Sequence, residues 1–114
     1  MKPCRLLMAV LTAVNIALPL AHLSGNAEKQ ALSDGRALYK KHCAMCHFPD
    51  KADKKMGPGM KDLFKNKELP SSKQPATPEI VREKIAKGGK GMPAFAKKLS
   101  AEECDALMEY LETL

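Results

Sequence analysis

Residues 43 to 47 read Cys-Ala-Met-Cys-His, in a chain that uses cysteine elsewhere only at Cys4 and Cys104. Two thiols three positions apart with a histidine next to them admit four chemistries. A structural zinc site wants four ligands. Cys43, Cys46 and His47 supply three, only Cys104 or His42 is left for the fourth, and no second ligand pair at finger spacing exists. A redox dithiol of the thioredoxin kind sits near a βαβ pattern, which is absent here. A plain disulfide leaves His47 without a role. Covalent haem uses all three residues: sulfurs at i and i+3 lie on one side of a helical turn and can meet two vinyl groups, and the following histidine can reach the iron. One such motif means one haem.

Iron with His47 on one side has a second axial position, for which the inventory is short. His42 sits beside the tethered Cys43 and cannot easily swing to the opposite face; it reads as a solvated residue at the end of the first helix. Methionine is the remaining soft donor. Met45 lies inside the motif and is excluded by reach, and Met108 follows Leu107 in a regular helix whose packing it would have to leave. Met56 and Met60 lie 9 and 13 residues after His47 and flank Gly57-Pro58-Gly59, where the chain can run along the His47 side of the ring. Met92 stands apart in "GKGMPAF", a loop between two helices with Pro93 fixing the backbone after it. It is the favoured distal ligand, with Met60 in reserve; the alternative for Met92 is that it fills a gap in the core, as methionine often does.

The elements that must position these residues are helices and loops, with no strand alternation. Ser33 is placed to cap a first helix carrying Gly35, Leu38, Tyr39 and Cys43 towards one side. A lysine-, glycine- and proline-rich loop follows from Phe48 to about Lys61. A short helical stretch is expected near Asp62 to Lys67. Three prolines make "ELPSSKQPATPE", residues 68–79, a loop that ends with Thr77 as N-cap and Pro78 at the first helical position. Ile80, Val81 and Ile85 give the next helix an apolar side, and Gly88-Gly89 ends it. Ser100 and Glu103 form a capping box for a last helix with Cys104, Leu107, Leu111 and Leu114 in one stripe and Tyr110 beside it. On that stripe Cys104 reads as a buried apolar residue.

At 114 residues the chain holds one small domain. Lys2 and Arg5 followed by the largely apolar run from Leu6 to Leu20 have the layout of a secretory signal, with Gly25-Asn26-Ala27 as the cleavage site. The rival is an uncleaved membrane anchor, since roughly 18 apolar residues span a bilayer; Asn15, Pro19 and His22 interrupt the run. The expected organisation is a signal over 1–27 and a domain over 28–114. The domain's odd set of cysteines, Cys43, Cys46 and Cys104, does not suit a disulfide framework, and so short a chain buries only a thin core. A tethered apolar macrocycle answers that need, and the chain without it is expected to be largely unfolded. Without Lys2 and Arg5 the net charge falls from +6 to +4. So modest an excess, with few aromatic residues interleaved, argues against nucleic acid and suits a basic face that steers towards an acidic protein.

Taken in order, Gly35, Leu38 and Tyr39 ahead of "CAMCH", "GPGM" with Leu63-Phe64, "GMPAF", and "LMEYL" in the last helix resemble the class I c-type cytochromes, small exported single-haem electron carriers. The resemblance covers the whole of 28–114. It implies an all-α fold, three to four short helices and loops wrapped around one haem c, with Gly35 and Tyr39 crossing the last helix near Leu107 and Tyr110. It further implies Cys43 and Cys46 as thioether links, His47 and Met92 as axial ligands, and Pro58 as the residue whose carbonyl accepts the imidazole N–H. The departures are Phe48 after the histidine and a loop up to Gly57 with three lysines and two aspartates. The function expected is periplasmic one-electron transfer by a monomer, not enzymatic catalysis, with redox proteins bearing acidic patches as partners. Lys40, Lys41, Lys61, Lys87, Lys90, Lys97 and Lys98 lie near the haem-contacting segments and are the candidates for docking. The alternatives are a gas-binding sensor with a labile distal ligand, and a membrane-tethered relay within a respiratory complex.

Overall fold

Capping residues set two of the three α-helices among the described residues. Thr77 is extended and its hydroxyl accepts from the Ile80 amide at 3.4 Å, and Pro78 opens the helix Pro78–Lys87 at the position where a missing N–H costs nothing. Gly88 closes it at φ 68°, a left-handed value that glycine adopts without strain. Ser100 and Glu103 make a reciprocal capping box, 3.1 Å from the Glu103 amide to the Ser100 hydroxyl and 2.8 Å from the Ser100 amide to the Glu103 carboxylate, at the start of Ala101–Leu111. The computed structural model describes residues 23–114, with α1 at Leu23–His42, a 3-10 turn at Leu63–Lys65, α2 at Pro78–Lys87 and α3 at Ala101–Leu111. The described residues contain no strand, only isolated bridges pairing Glu68 with Pro75 and Gly89 with Met92. The expected all-α class is observed.

The first helix departs from the sequence reading. It is already helical at Leu23, and Ser33 is an exposed interior residue, not a cap. The reason is propensity: Ala27, Glu28, Lys29, Gln30, Ala31 and Leu32 are good helix formers, and the Gln30 amide donates to Asp34 at 2.8 Å one turn on. No breaker stands between Ala27 and Leu32 to make the capping ability of Ser33 count. The apolar run Leu6 to Leu20 of the expected 1–27 export signal lies outside the described residues, and its expected cleavage site Gly25-Asn26-Ala27 falls within α1. No described helix is long and apolar enough to cross a membrane.

α1 packs across α3 at Gly35. A Cβ on Gly35 would come within 2.7 Å of the Ala106 carbonyl carbon and 2.8 Å of Tyr110 Cβ, so only glycine allows this approach. One turn later the Tyr39 and Tyr110 rings meet edge to face, centroids 5.4 Å apart. The buried set is small: Tyr39, Leu63, Leu69, Ala76, Val81, Ile85, Phe95, Leu107, Met108 and Leu111. Loops contribute Leu69, Ala76 and Phe95, so helix-to-helix contact supplies only part of the core. On α3 the buried centre is Leu107, Met108 and Leu111, whereas Cys104 is half-buried, not buried as its stripe suggested. The Gly35 crossing turns α3 so that Cys104 reaches its rim. There the Arg82 guanidinium bridges α2 to α3 through Asp105 at 2.7 Å.

Candidate functional site

The end of α1 winds directly into the motif. The Cys43 and Ala44 amides donate to the Tyr39 carbonyl at 2.8 and 3.0 Å, and the Cys46 and His47 amides both donate to the Cys43 carbonyl at 3.0 Å. One tight turn therefore carries residues 43 to 47, as the three-residue spacing requires. All three described cysteines are free thiols. Cys43 packs against the core, and burial, with the neighbouring Cys46 adding to it, pushes its thiol up to about 11. Cys46 is half-buried, its sulfur 3.8 Å from that of the exposed Met56.

His47 is the one buried polar residue among those described, at 8 % exposure, and it is fixed from three directions. Its Nδ1 lies 2.7 Å from the Pro58 carbonyl. A carbonyl only accepts, so Nδ1 carries the proton and Nε2 keeps its lone pair free for a metal. Its own backbone carbonyl accepts the Tyr39 hydroxyl at 3.0 Å. Burial pushes the Tyr39 phenol above its ordinary value, the Cys43 thiol adding to the effect. Gly57 lies against the imidazole, where a Cβ would sit 2.8 Å from Nδ1. The amide of Gly57 donates to the Cys46 carbonyl at 2.8 Å and that of Met60 to the Phe48 carbonyl at 2.8 Å. The 57–60 segment is thus stitched to the motif on the side that holds Nδ1.

Met92 sits in a separate tight loop. Gly89 and Met92 exchange backbone hydrogen bonds at 2.9 and 3.0 Å, and Phe95 anchors the exit by donating its amide to the Ile85 carbonyl at 3.0 Å. Gly88 is needed here for space too, since a Cβ there would approach the Met92 carbonyl oxygen to 2.5 Å. Met60 and Met92 are both half-buried at the edge of the core. His42, expected to be solvated, is half-buried with its ring edge-on to Phe95 at 5.8 Å between centroids. This contact joins the end of α1 to the Met92 loop.

The donor set fits a tethered haem: two free thiols on one turn and a buried imidazole whose outer nitrogen is taken and whose inner one is free. No group of three or more histidine, cysteine or carboxylate side chains able to hold a metal ion occurs among the described residues. The residues sequence reasoning passed over are Tyr39 as the clamp on the His47 carbonyl, Gly57 as the spacer at its ring, and Lys51 and Lys55. Those two ammonium groups lie 5.2 and 5.3 Å from the centre of the Phe48 ring, and Lys55 also donates to the Ala44 carbonyl at 2.8 Å. The three lysines of that loop were a visible signal of this cover over the motif.

A family model described as cytochrome c oxidase, cbb3-type, subunit III matches residues 30–111. No curated protein and no solved structure matches significantly. The matched span runs from within α1 to the end of α3 and contains the motif turn, the 57–60 segment and the Met92 loop. The chain belongs to this family of class I c-type cytochromes, electron carriers that bind haem c covalently and exchange electrons with redox partner proteins.

Proposed function

We propose that the chain is an exported, periplasmic one-electron carrier, not an enzyme, in which His47 and Met92 are the axial ligands and residues 1–27 are a cleaved leader. The observation that carries the reading is the 2.7 Å contact between His47 Nδ1 and the Pro58 carbonyl, which fixes the tautomer and leaves Nε2 available. Cys43 and Cys46 would hold the haem as thioethers. When bound, it supplies a reversible one-electron couple between ferrous and ferric iron. Tyr39, Pro58 and Gly57 hold the imidazole still, which keeps the structural change on electron transfer small. Met60 lies two residues beyond Pro58 in the segment stitched to the motif, so its backbone belongs to the His47 side. Met92 comes from a different loop, bound to the end of α2, which favours it for the opposite side. A thioether donor raises the potential relative to harder ligands.

The exposed Met45 and Met56 beside Cys46, with Lys51, Lys54 and Lys55 around them, make a basic, partly apolar face. Such a face suits brief docking to an acidic redox protein, and the exposed Lys40, Lys41, Lys61, Lys90 and Lys97 extend the positive field. The axial assignment is tested with Met92→Ala and Met60→Ala in the holoprotein. Met92→Ala is expected to abolish the far-red absorption of the sulfur-ligated ferric form and to open the reduced form to carbon monoxide, while Met60→Ala leaves both as they were. The reverse pattern would make Met60 the ligand.

A further inference from the structure

The Met92 loop hangs between two anchors of unequal strength. On the α2 side Gly88 and Gly91 both have left-handed backbones, φ 68° and 80°, and residues 89–91 are exposed, so the paired hydrogen bonds between Gly89 and Met92 close a turn that lies in solvent. On the other side Phe95 is buried, its amide donates to the Ile85 carbonyl at 3.0 Å, and its carbonyl accepts from the Lys98 and Leu99 amides at 2.8 and 3.1 Å. Only Pro93 and Ala94, both exposed, separate it from Met92. Phe95 is therefore the firm end of the loop. Its ring is met by the Lys98 ammonium, 5.3 Å from the centre, and by the half-buried His42 ring, edge-on at 5.8 Å and 74°. Lys98 belongs to the same turn as Phe95, whereas His42 comes from the end of α1, next to Cys43. The neighbouring Lys41 is exposed, but His42 is turned inward onto a buried ring.

We infer that His42 is a positioning residue for Met92: by latching Phe95 it sets how often the Met92 sulfur leaves the iron and the distal position opens to an outside ligand. A thioether is a soft donor and ferric iron a hard acceptor, so in that state the bond alone holds Met92 weakly, and the backbone must keep the sulfur within reach. For the sulfur to depart, residues 89–94 must swing, and the exposed glycine turn gives way before the Phe95 anchor does. Contact with His42 ties that anchor to the helix end that carries Cys43, so the cysteine turn and the distal loop move as one piece. Without it the Phe95 side chain can follow the loop outward. Edge-to-face ring pairs contribute a modest free energy beyond the area they bury, enough to shift an open population several-fold without unfolding the domain. The inference rests on Met92 as the distal ligand, which the far-red band of the ferric wild type and its absence from Met92→Ala report independently of His42.

The test uses the ferric holoprotein as wild type, His42→Ala, His42→Phe and Ser100→Ala, each mixed with rising concentrations of cyanide in stopped flow while the far-red band is followed. At saturating cyanide the rate of band loss equals the rate at which Met92 lets go. His42→Ala is expected to keep the band before mixing but to raise that limiting rate about five- to tenfold, the loss of one edge-to-face contact. His42→Phe, which keeps an aromatic ring at the position, returns the rate towards the wild-type value. Ser100→Ala weakens the domain through the cap of α3 and leaves the rate unchanged, which separates a latch from a general loss of stability. A limiting rate in His42→Ala equal to that of the wild type, or an equal rise in Ser100→Ala, would overturn the inference while leaving Met92 as the ligand. A ferric wild type without the far-red band would overturn it together with that assignment.

Discussion

At the scale of single residues, the site is a set of restraints on one imidazole. His47 is pinned through its ring nitrogen by Pro58, through its backbone carbonyl by Tyr39, and at its ring by the missing side chain of Gly57. Tyr39→Phe removes one buried hydrogen bond and is expected to cost about 1 kcal/mol, read as the midpoint shift in denaturant at neutral pH. The same variant has a pH signature. A tyrosine ionises near 10.0 in the unfolded chain and higher in the folded protein, so above about pH 10 the unfolded state releases its proton first and wild-type stability falls with rising pH. Tyr39→Phe should be free of that fall, and its stability curve should meet or cross the wild-type curve in alkali. Parallel curves up to pH 12 would mean that the phenol is not held as described.

At the scale of elements, the helices are built by their caps and joined through Gly35. Ser100→Ala removes one arm of the capping box of α3 and should cost about 1 kcal/mol, a fall of roughly 4–8 °C in Tm for a domain of this size, with no change in the visible spectrum. A spectral change would show that α3 bears on the haem more directly than through packing. The same caps explain what could be read in advance. Thr77-Pro78 and Ser100 to Glu103 satisfy local hydrogen bonds that depend only on neighbours in sequence, so α2 and α3 begin where the residues say. Ser33 has the same capping chemistry, but strong helix formers stand before it and the helix runs through. The cysteine motif was legible because its spacing is itself the chemistry, and Pro58 only through the family resemblance. Tyr39 on the His47 carbonyl, Gly57 at the ring and Cys104 at the rim of α3 depend on how separate segments meet, and no local pattern encodes that.

At the scale of the whole molecule, ten buried apolar residues drawn partly from loops make a core too thin for the chain length. Besides the space at Gly35, α1 reaches that core through Tyr39 and the half-buried Leu38, and Cys43, Met60 and Met92 line its edge without filling it. The haem is therefore a structural component as much as a redox one. The double variant Cys43→Ser, Cys46→Ser, which cannot form thioethers, is expected to lose most of its helical circular dichroism at 25 °C, whereas the holoprotein keeps it; a well-folded double variant would mean that the core suffices alone. The most direct measurement is the visible spectrum of the wild-type holoprotein, oxidised, reduced, and reduced under carbon monoxide. Ligation by His47 and Met92 predicts low-spin bands in both oxidation states, a weak far-red band in the ferric form, and no response to carbon monoxide. High-spin bands, or ready carbon monoxide binding, would contradict a carrier with both axial positions filled and put a ligand-binding protein in its place.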